Sequence, residues 1–153
     1  MHPAERDSQV IQHSSSPTRC AGEGIFITVD GPNGSGKTTI AETLAKTLEL
    51  RRHEVFLTKQ PSDLPIGRLL RTAQETCSGR VLAYLVAADR FDHIEQEIAP
   101  QLGCGRIVIS ARYVESSLAL QALDGLTKDR IWQLNSEVPI PNLSVVLRAN
   151  PEV

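Results

Sequence analysis

Gly24-Ile25-Phe26-Ile27-Thr28-Val29-Asp30-Gly31-Pro32-Asn33-Gly34-Ser35-Gly36-Lys37-Thr38-Thr39 is the stretch whose reading decides the fold. Its first seven residues are apolar and rich in β-branched side chains, the pattern of a strand buried on both faces. Gly31–Thr38 then fills every fixed position of G-x-x-x-x-G-K-[ST]. Immediately after it, Ile40, Ala41, Leu44, Ala45 and Leu48 fall at helical spacing, which predicts an amphipathic helix over residues 38–50. A chance glycine-rich turn has no reason to sit between such a strand and such a helix. The context therefore makes this a phosphate-binding loop.

The residue types follow from the chemistry. Glycines let the backbone curl until successive N–H groups point at phosphate oxygens. The helix that follows adds the positive end of its dipole. Lys37 is expected to reach the terminal phosphates of ATP as a catalytic cation, and the Thr38 hydroxyl to help ligate Mg²⁺. The expected phosphate ligands are Gly31, Pro32, Asn33, Gly34, Ser35, Gly36, Lys37, Thr38 and Thr39.

Outward from the loop, Val55-Phe56-Leu57-Thr58 reads as a second strand, broken by Gln60-Pro61-Ser62-Asp63. Ile66, Leu69, Leu70 and Ala73 suggest a short helix, and residues 80–99 a longer one. Residues 106–110 form a third expected strand, residues 114–122 and 128–137 two further helices, and residues 143–147 a fourth strand. Thr127 is the expected cap of the 128–137 helix. Strands alternating with helices imply an α/β fold with a parallel sheet. Residues 1–22, polar and with a Ser-Ser-Ser-Pro run, read as a disordered leader before one domain over 23–153.

Composition narrows the function classes. The 153 residues suffice for one compact domain, and 41% hydrophobic with 22% charged residues is ordinary for a globular protein. No segment approaches the roughly 18 apolar residues of a membrane span. A net charge of −2 and 4% aromatic residues disfavour stable nucleic-acid binding. Cys20, Cys77 and Cys104 form neither a zinc-like pair nor a disulfide framework, and read as packing or surface residues in a reducing, cytoplasmic setting. Phe26, Phe56, Phe91 and Trp132 read mostly as core, and only Tyr113 gains a site role from its motif neighbours. His53 and His93 lack a partner at metal-ligand spacing and receive no role.

Four segments in order carry a family resemblance: Gly36-Lys37-Thr38-Thr39; Lys59-Gln60-Pro61 with Pro65-Ile66-Gly67-Arg68-Leu69-Leu70-Arg71; Ala87-Ala88-Asp89-Arg90; and Ala111-Arg112-Tyr113 with Ser116-Ser117-Leu118-Ala119-Leu120-Gln121. The tail, Pro141-Asn142-Leu143 into Asn150-Pro151-Glu152, adds to it. Together they resemble the thymidylate kinase family of P-loop nucleoside monophosphate kinases, from about Gly24 to the last residue. The resemblance implies a three-layer αβα fold and transfer of the γ-phosphoryl of ATP to dTMP. It also implies Mg²⁺ as cofactor and a homodimer built from helices along one side of the sheet. By the same resemblance Arg90 and Arg112 hold the monophosphate, in keeping with the bidentate fork of a guanidinium. Arg112 is then also catalytic, Gln121 lies near the base, and Lys59 and Pro61 line the acceptor site.

The sequence departs from the family pattern at several of these places. Asn33 stands where the loop usually has an acidic residue for the sugar hydroxyl, and Lys59 where an arginine is usual. Val86 stands where an aromatic residue stacks on thymine, although Tyr84 is near, and Leu120 replaces a tyrosine. Ala111 replaces an aspartate that supports Mg²⁺ and the transferring group; Asp30 and Glu115 are the carboxylates available to compensate. Loss of one such preorganised group costs on the order of 10²–10³ in rate. The family's lid, fifth strand and adenine loop have no counterpart before Val153, as in a truncated relative or a piece of a longer protein. Three readings follow: a dTMP kinase, an ATP-binding relative impaired in transfer, and a kinase for a different nucleoside monophosphate.

Overall fold

The computed structural model describes residues 23–123 and 125–148. The leader expected over residues 1–22 and the tail match at Asn150-Pro151-Glu152 lie outside the described residues. The elements are β1 (Ile25–Asp30), α1 (Lys37–Leu50), β2 (Val55–Lys59), α2 (Pro65–Ala73), α3 (Gly79–His93), a π-helical turn (Ile94–Ile98), α4 (Ala99–Gly103), β3 (Ile107–Ala111), α5 (Val114–Leu123), α6 (Lys128–Leu134) and β4 (Leu143–Val146). The four strands form one parallel sheet in the order β2-β3-β1-β4. β1 and β3 are central and buried almost throughout, whereas β2 and β4 are half-open edges.

Successive side chains of a strand point to opposite faces, and both faces are covered here. Ile27, Val29, Ile107 and Ile109 pack with Ala41 and Ala45 of α1 on one face. Phe26 and Val108 pack on the other with Ile94, Ile98, Tyr113 and Val114. Ala83 of α3 meets Leu126 and Ile131 in a third cluster. The result is the expected αβα arrangement.

Local departures from the sequence reading have physical causes. The helix expected over 80–99 runs on to Gly103, because the π-helical turn widens it without breaking it. The helix expected to reach residue 137 stops at Leu134: the Asn135 side chain donates to the Ile131 carbonyl, and the Asn135 N–H turns back to Trp132 O. Thr127 caps that helix as expected, accepting from Arg130 N at 3.3 Å. Trp132 is half exposed rather than core, one residue round the helix from buried Ile131. Cys77 is a free thiol, but Cys104 is disulfide-bonded, which corrects its reading as a mere packing or surface residue. Wide spacing in sequence places no limit on a pairing that needs only proximity in space. Among the described residues no helix is long and apolar enough to cross a membrane.

Candidate active site

The phosphate loop leaves the carboxyl end of central strand β1, where parallel sheets place their ligand clefts. Gly31 has φ +149°, and a Cβ there would lie 2.9 Å from both the Leu147 carbonyl and the Ser35 hydroxyl. Only glycine fits the first bend. Gly36 begins α1 at φ +83°, and no side chain caps the helix, so its first N–H groups stay open to a phosphate. The Lys37 ammonium folds back over the loop, donating to Gly31 O at 2.8 Å and to Pro32 O. Lys37 is only 6% exposed. Burial pulls its pKa below the usual lysine value, nearby Arg112 adds to that, and Asp30 opposes it.

Among the described residues, two of the cavities at this end of the sheet share lining residues with each other across the phosphate loop and the turn after β3. One, of about 360 Å³, is lined by Gly34, Gly36, Lys37, Thr38, Lys59, Gln60, Ala111 and Arg112. The second, of about 410 Å³, has Asn33, Pro61 and Arg90 among its walls, with Leu70, Leu82 and Val86 on its apolar side. Gln60 and Arg112 line both. The cavities thus share a polar wall, one facing the phosphate loop and the other large enough for a second small ligand.

Arg112 reaches that wall from the turn after β3. Its backbone sits at φ +77°, a region that L residues other than Asn and Asp rarely adopt. Asp30 holds the turn: its Oδ1 accepts from Tyr113 N at 3.0 Å, from Ser116 N at 3.1 Å and from Ser116 Oγ. A carboxylate at the end of β1 thereby satisfies the N–H groups that begin α5. Asp30 is 2% exposed, and its Oδ2 is buried with no hydrogen-bond partner among the described residues. The Glu115 carboxylate instead accepts from Ser144 on β4 through Oε1.

Arg90 is 2% exposed and densely bonded. Nε donates to Gln60 Oε1 at 3.0 Å, Nη1 to Asn135 Oδ1, and Nη2 to Tyr113 O and Ser117 Oγ at 3.1 and 2.7 Å. Four of its five N–H donors are engaged among the described residues, which leaves one for a ligand. Burial lowers its pKa to about 10, so it stays charged at neutral pH. Asp89 holds Ser62 through both oxygens, accepting from Ser62 N at 3.0 Å and Ser62 Oγ at 2.5 Å. Gly67 of α2 fits against this pair, since a Cβ there would come within 2.2 Å of Ser62 O.

The structure brings most of the expected site residues together. Gly34, Gly36, Lys37, Thr38, Lys59 and Arg112 meet in the first cavity, and Asn33, Pro61, Arg90 and Arg112 in the second. Lys59 is exposed and pairs loosely with Asp63 at 3.8 Å. The Gln121 side chain lies outside the described residues. Tyr84 does not line the second cavity; its hydroxyl accepts from Arg130 Nη2 at 2.8 Å on the surface. Tyr113 is buried edge-on against Phe26, with Arg90 5.5 Å from its ring centre. Sequence reasoning missed Gln60, Asp89, Ser117 and Asn135 as site residues. A polar residue inside a motif, such as Gln60 between Lys59 and Pro61, was the one signal that pointed to any of them.

The sequence profile of the thymidylate kinase family matches residues 29–153. A relative named probable thymidylate kinase, from Pyrobaculum calidifontis, is 45% identical over 130 residues, covering 83% of this chain and 65% of the relative. A probable thymidylate kinase from Pyrococcus horikoshii is 41% identical over 132 residues, covering 81% of this chain and 64% of the relative. The chain thus spans just under two thirds of the length of these curated relatives. Among solved structures, a thymidylate kinase from Ehrlichia chaffeensis superposes with a TM-score of 0.74 at 29% identity, covering 81% of this chain and 71% of that one. With its phosphate loop, its paired cavities and these relatives, the chain belongs to the thymidylate kinase family.

Proposed function

We propose that the chain transfers the γ-phosphoryl group of ATP to dTMP, giving ADP and dTDP. The observation that carries this reading is the wall shared by two cavities, with Arg112 and Gln60 facing both. One cavity is floored by a phosphate loop and the other has an apolar side suited to a nucleobase. A phosphate oxygen of dTMP attacks the γ-phosphorus, and the bond to the bridging oxygen of ADP breaks. No general base is needed, because the attacking phosphate is already ionised near neutral pH. The chain's own part is positioning and charge: loop N–H groups and Lys37 hold the triphosphate, and Arg112 sits between donor and acceptor. Arg90 presents to the acceptor the one N–H that no described residue engages, with Lys59 and Pro61 at the margin and Gln121 near the base.

The donor set fits Mg²⁺ in part. Thr38 places an exposed hydroxyl in the first cavity, and Oδ2 of buried Asp30, without a partner among the described residues, is a carboxylate oxygen left over for the ion or its water. Ala111 contributes nothing. When bound, the ion neutralises charge that develops on the transferring group. Cytoplasmic residence and pairing of two copies belong to the same proposal.

Ala111 favours a second reading, in which the chain binds nucleotide with little transfer. Incubation with ATP, Mg²⁺ and dTMP, with Lys37→Ala as control, separates the two. Formation of dTDP that vanishes in the variant supports the kinase. ATP binding lost in the variant, with no dTDP from either protein, supports the second reading.

A further inference from the structure

His93, at the end of α3, is fully buried and yet polar on both sides. Its Nε2 lies 2.7 Å from Thr58 Oγ1 and 3.1 Å from Glu97 Oε2. Its Nδ1 lies 3.3 Å from Gln60 Nε2. A carboxylate only accepts, so the proton belongs on Nε2, and Nδ1 is left with its lone pair towards Gln60. That lone pair accepts from the Gln60 amide nitrogen, which turns the Gln60 oxygen towards Arg90 Nε at 3.0 Å. The chain of contacts thus runs Glu97, His93, Gln60, Arg90, and ends on the wall of the acceptor cavity.

We propose that neutral His93 is a positioning residue for the acceptor cavity, orienting the Gln60 amide and through it the Arg90 guanidinium. The proposal rests on the dTMP reading above. Its consequence is a polarity that runs one way. A second proton on Nδ1 would face the Gln60 NH₂, two donors against each other. Turning the amide to relieve that clash would aim its NH₂ at Arg90 Nε–H, a second donor pair. Either outcome leaves a buried donor unpaired and loosens one of the four bonds that fix the guanidinium.

The groups around the imidazole set where this happens. Burial is the largest influence and lowers its pKa below the usual histidine value. Glu97 and Asp89 pull it back up, and Arg90 lowers it further. Thr58 of β2 and Gln60 are uncharged. His93 therefore stays neutral at neutral pH and gains its proton only on the acid side.

The test is dTMP binding by calorimetry from about pH 8 to about pH 5, with ATP binding measured in parallel. His93→Asn keeps an acceptor where Nδ1 stands; His93→Leu removes it. At about pH 8, His93→Leu is expected to weaken dTMP about tenfold, and His93→Asn no more than about threefold, with ATP affinity held in both. On acidification every protein loses affinity as the ligand phosphate takes up its proton near pH about 6. The wild type is expected to lose more, and His93→Asn to show only the shared part. Superimposable pH profiles for wild type and His93→Asn would overturn the proposal, and so would unchanged affinity in a folded His93→Leu. Should His93→Leu not fold, the Asn profile decides alone. A wild type that binds ATP but not dTMP overturns the acceptor reading instead. In that case the nitrogen chemical shifts of His93 in the ligand-free chain judge the orienting contact by itself: a proton on Nε2 upholds it, and one on Nδ1 overturns it.

Discussion

Arg112 Nη2 donates to Asn33 Oδ1 at 2.6 Å, joining two residues 79 positions apart. The bond ties the tip of the phosphate loop to the turn after β3, and both residues line the second cavity. Asn33 stands where the family pattern has an acid, so the arginine is engaged by a neutral oxygen. Its charge is left for a phosphate.

Arg112 carries its side chain on a backbone at φ +77°, which costs an arginine about 1–2 kcal/mol and a glycine almost nothing. Arg112→Gly is therefore expected to raise stability by about 1 kcal/mol in urea denaturation while lowering dTMP turnover by at least about 10². A variant both less stable and still active would show that the turn is not strained for the site's sake.

Asp30 accepts three hydrogen bonds from the start of α5. Asp30→Ala leaves those donors unpaired beside a buried strand end and is expected to cost about 3 kcal/mol of stability. Asp30→Asn keeps an acceptor oxygen and is expected to cost about half as much. Denaturation midpoints of the two variants check the order.

Ala111 is buried at the end of β3 and lines the phosphate cavity beside Thr38. Ala111→Asp restores a carboxylate there and is expected to raise the rate of dTDP formation by about 10², with a stronger dependence on Mg²⁺. Equal rates in the two proteins would show that Asp30 already supplies that charge.

His93 also leaves a mark on stability. Its folded pKa lies below its unfolded value, mainly through burial, so the unfolded chain takes up a proton that the native one refuses. Stability is fully present above the unfolded pKa of about 6.5 and falls as pH drops from there towards the folded pKa. The slope contributed by this one group approaches 1.4 kcal/mol per pH unit at its steepest, about the value of one proton. His93→Asn is expected to lack that component when urea midpoints are compared at about pH 7.5 and about pH 5.5.

Much of the architecture was legible because its signals are local. β1 and β3 announced themselves as continuous apolar runs, since central parallel strands are buried on both faces. The phosphate loop is contiguous, so its ligands could be read in a row. Periodicity carried the long helix through the π turn at Ile94–Ile98 and fell short only at its end, which lies at Gly103 and not at residue 99.

The polar interior was not legible in the same way. Periodicity tells which side of an element is apolar; it does not tell which polar group across the core answers a buried donor. Arg90 is met by Gln60, Asn135 and Ser117, which lie 30, 45 and 27 positions away. His93 carries no readable signal of its own, because Thr58 and Gln60 reach it from β2 and the segment after it and only Glu97 lies nearby in sequence. The sequence by itself determined the strand–loop–helix unit, the α/β class and the family, all written in neighbouring residues. The tertiary structure alone decided that Arg90 is mostly committed to the protein and that Arg112 and Gln60 face both cavities. A buried charge must find its partners wherever the fold brings them, and those pairings exist only once the chain has closed.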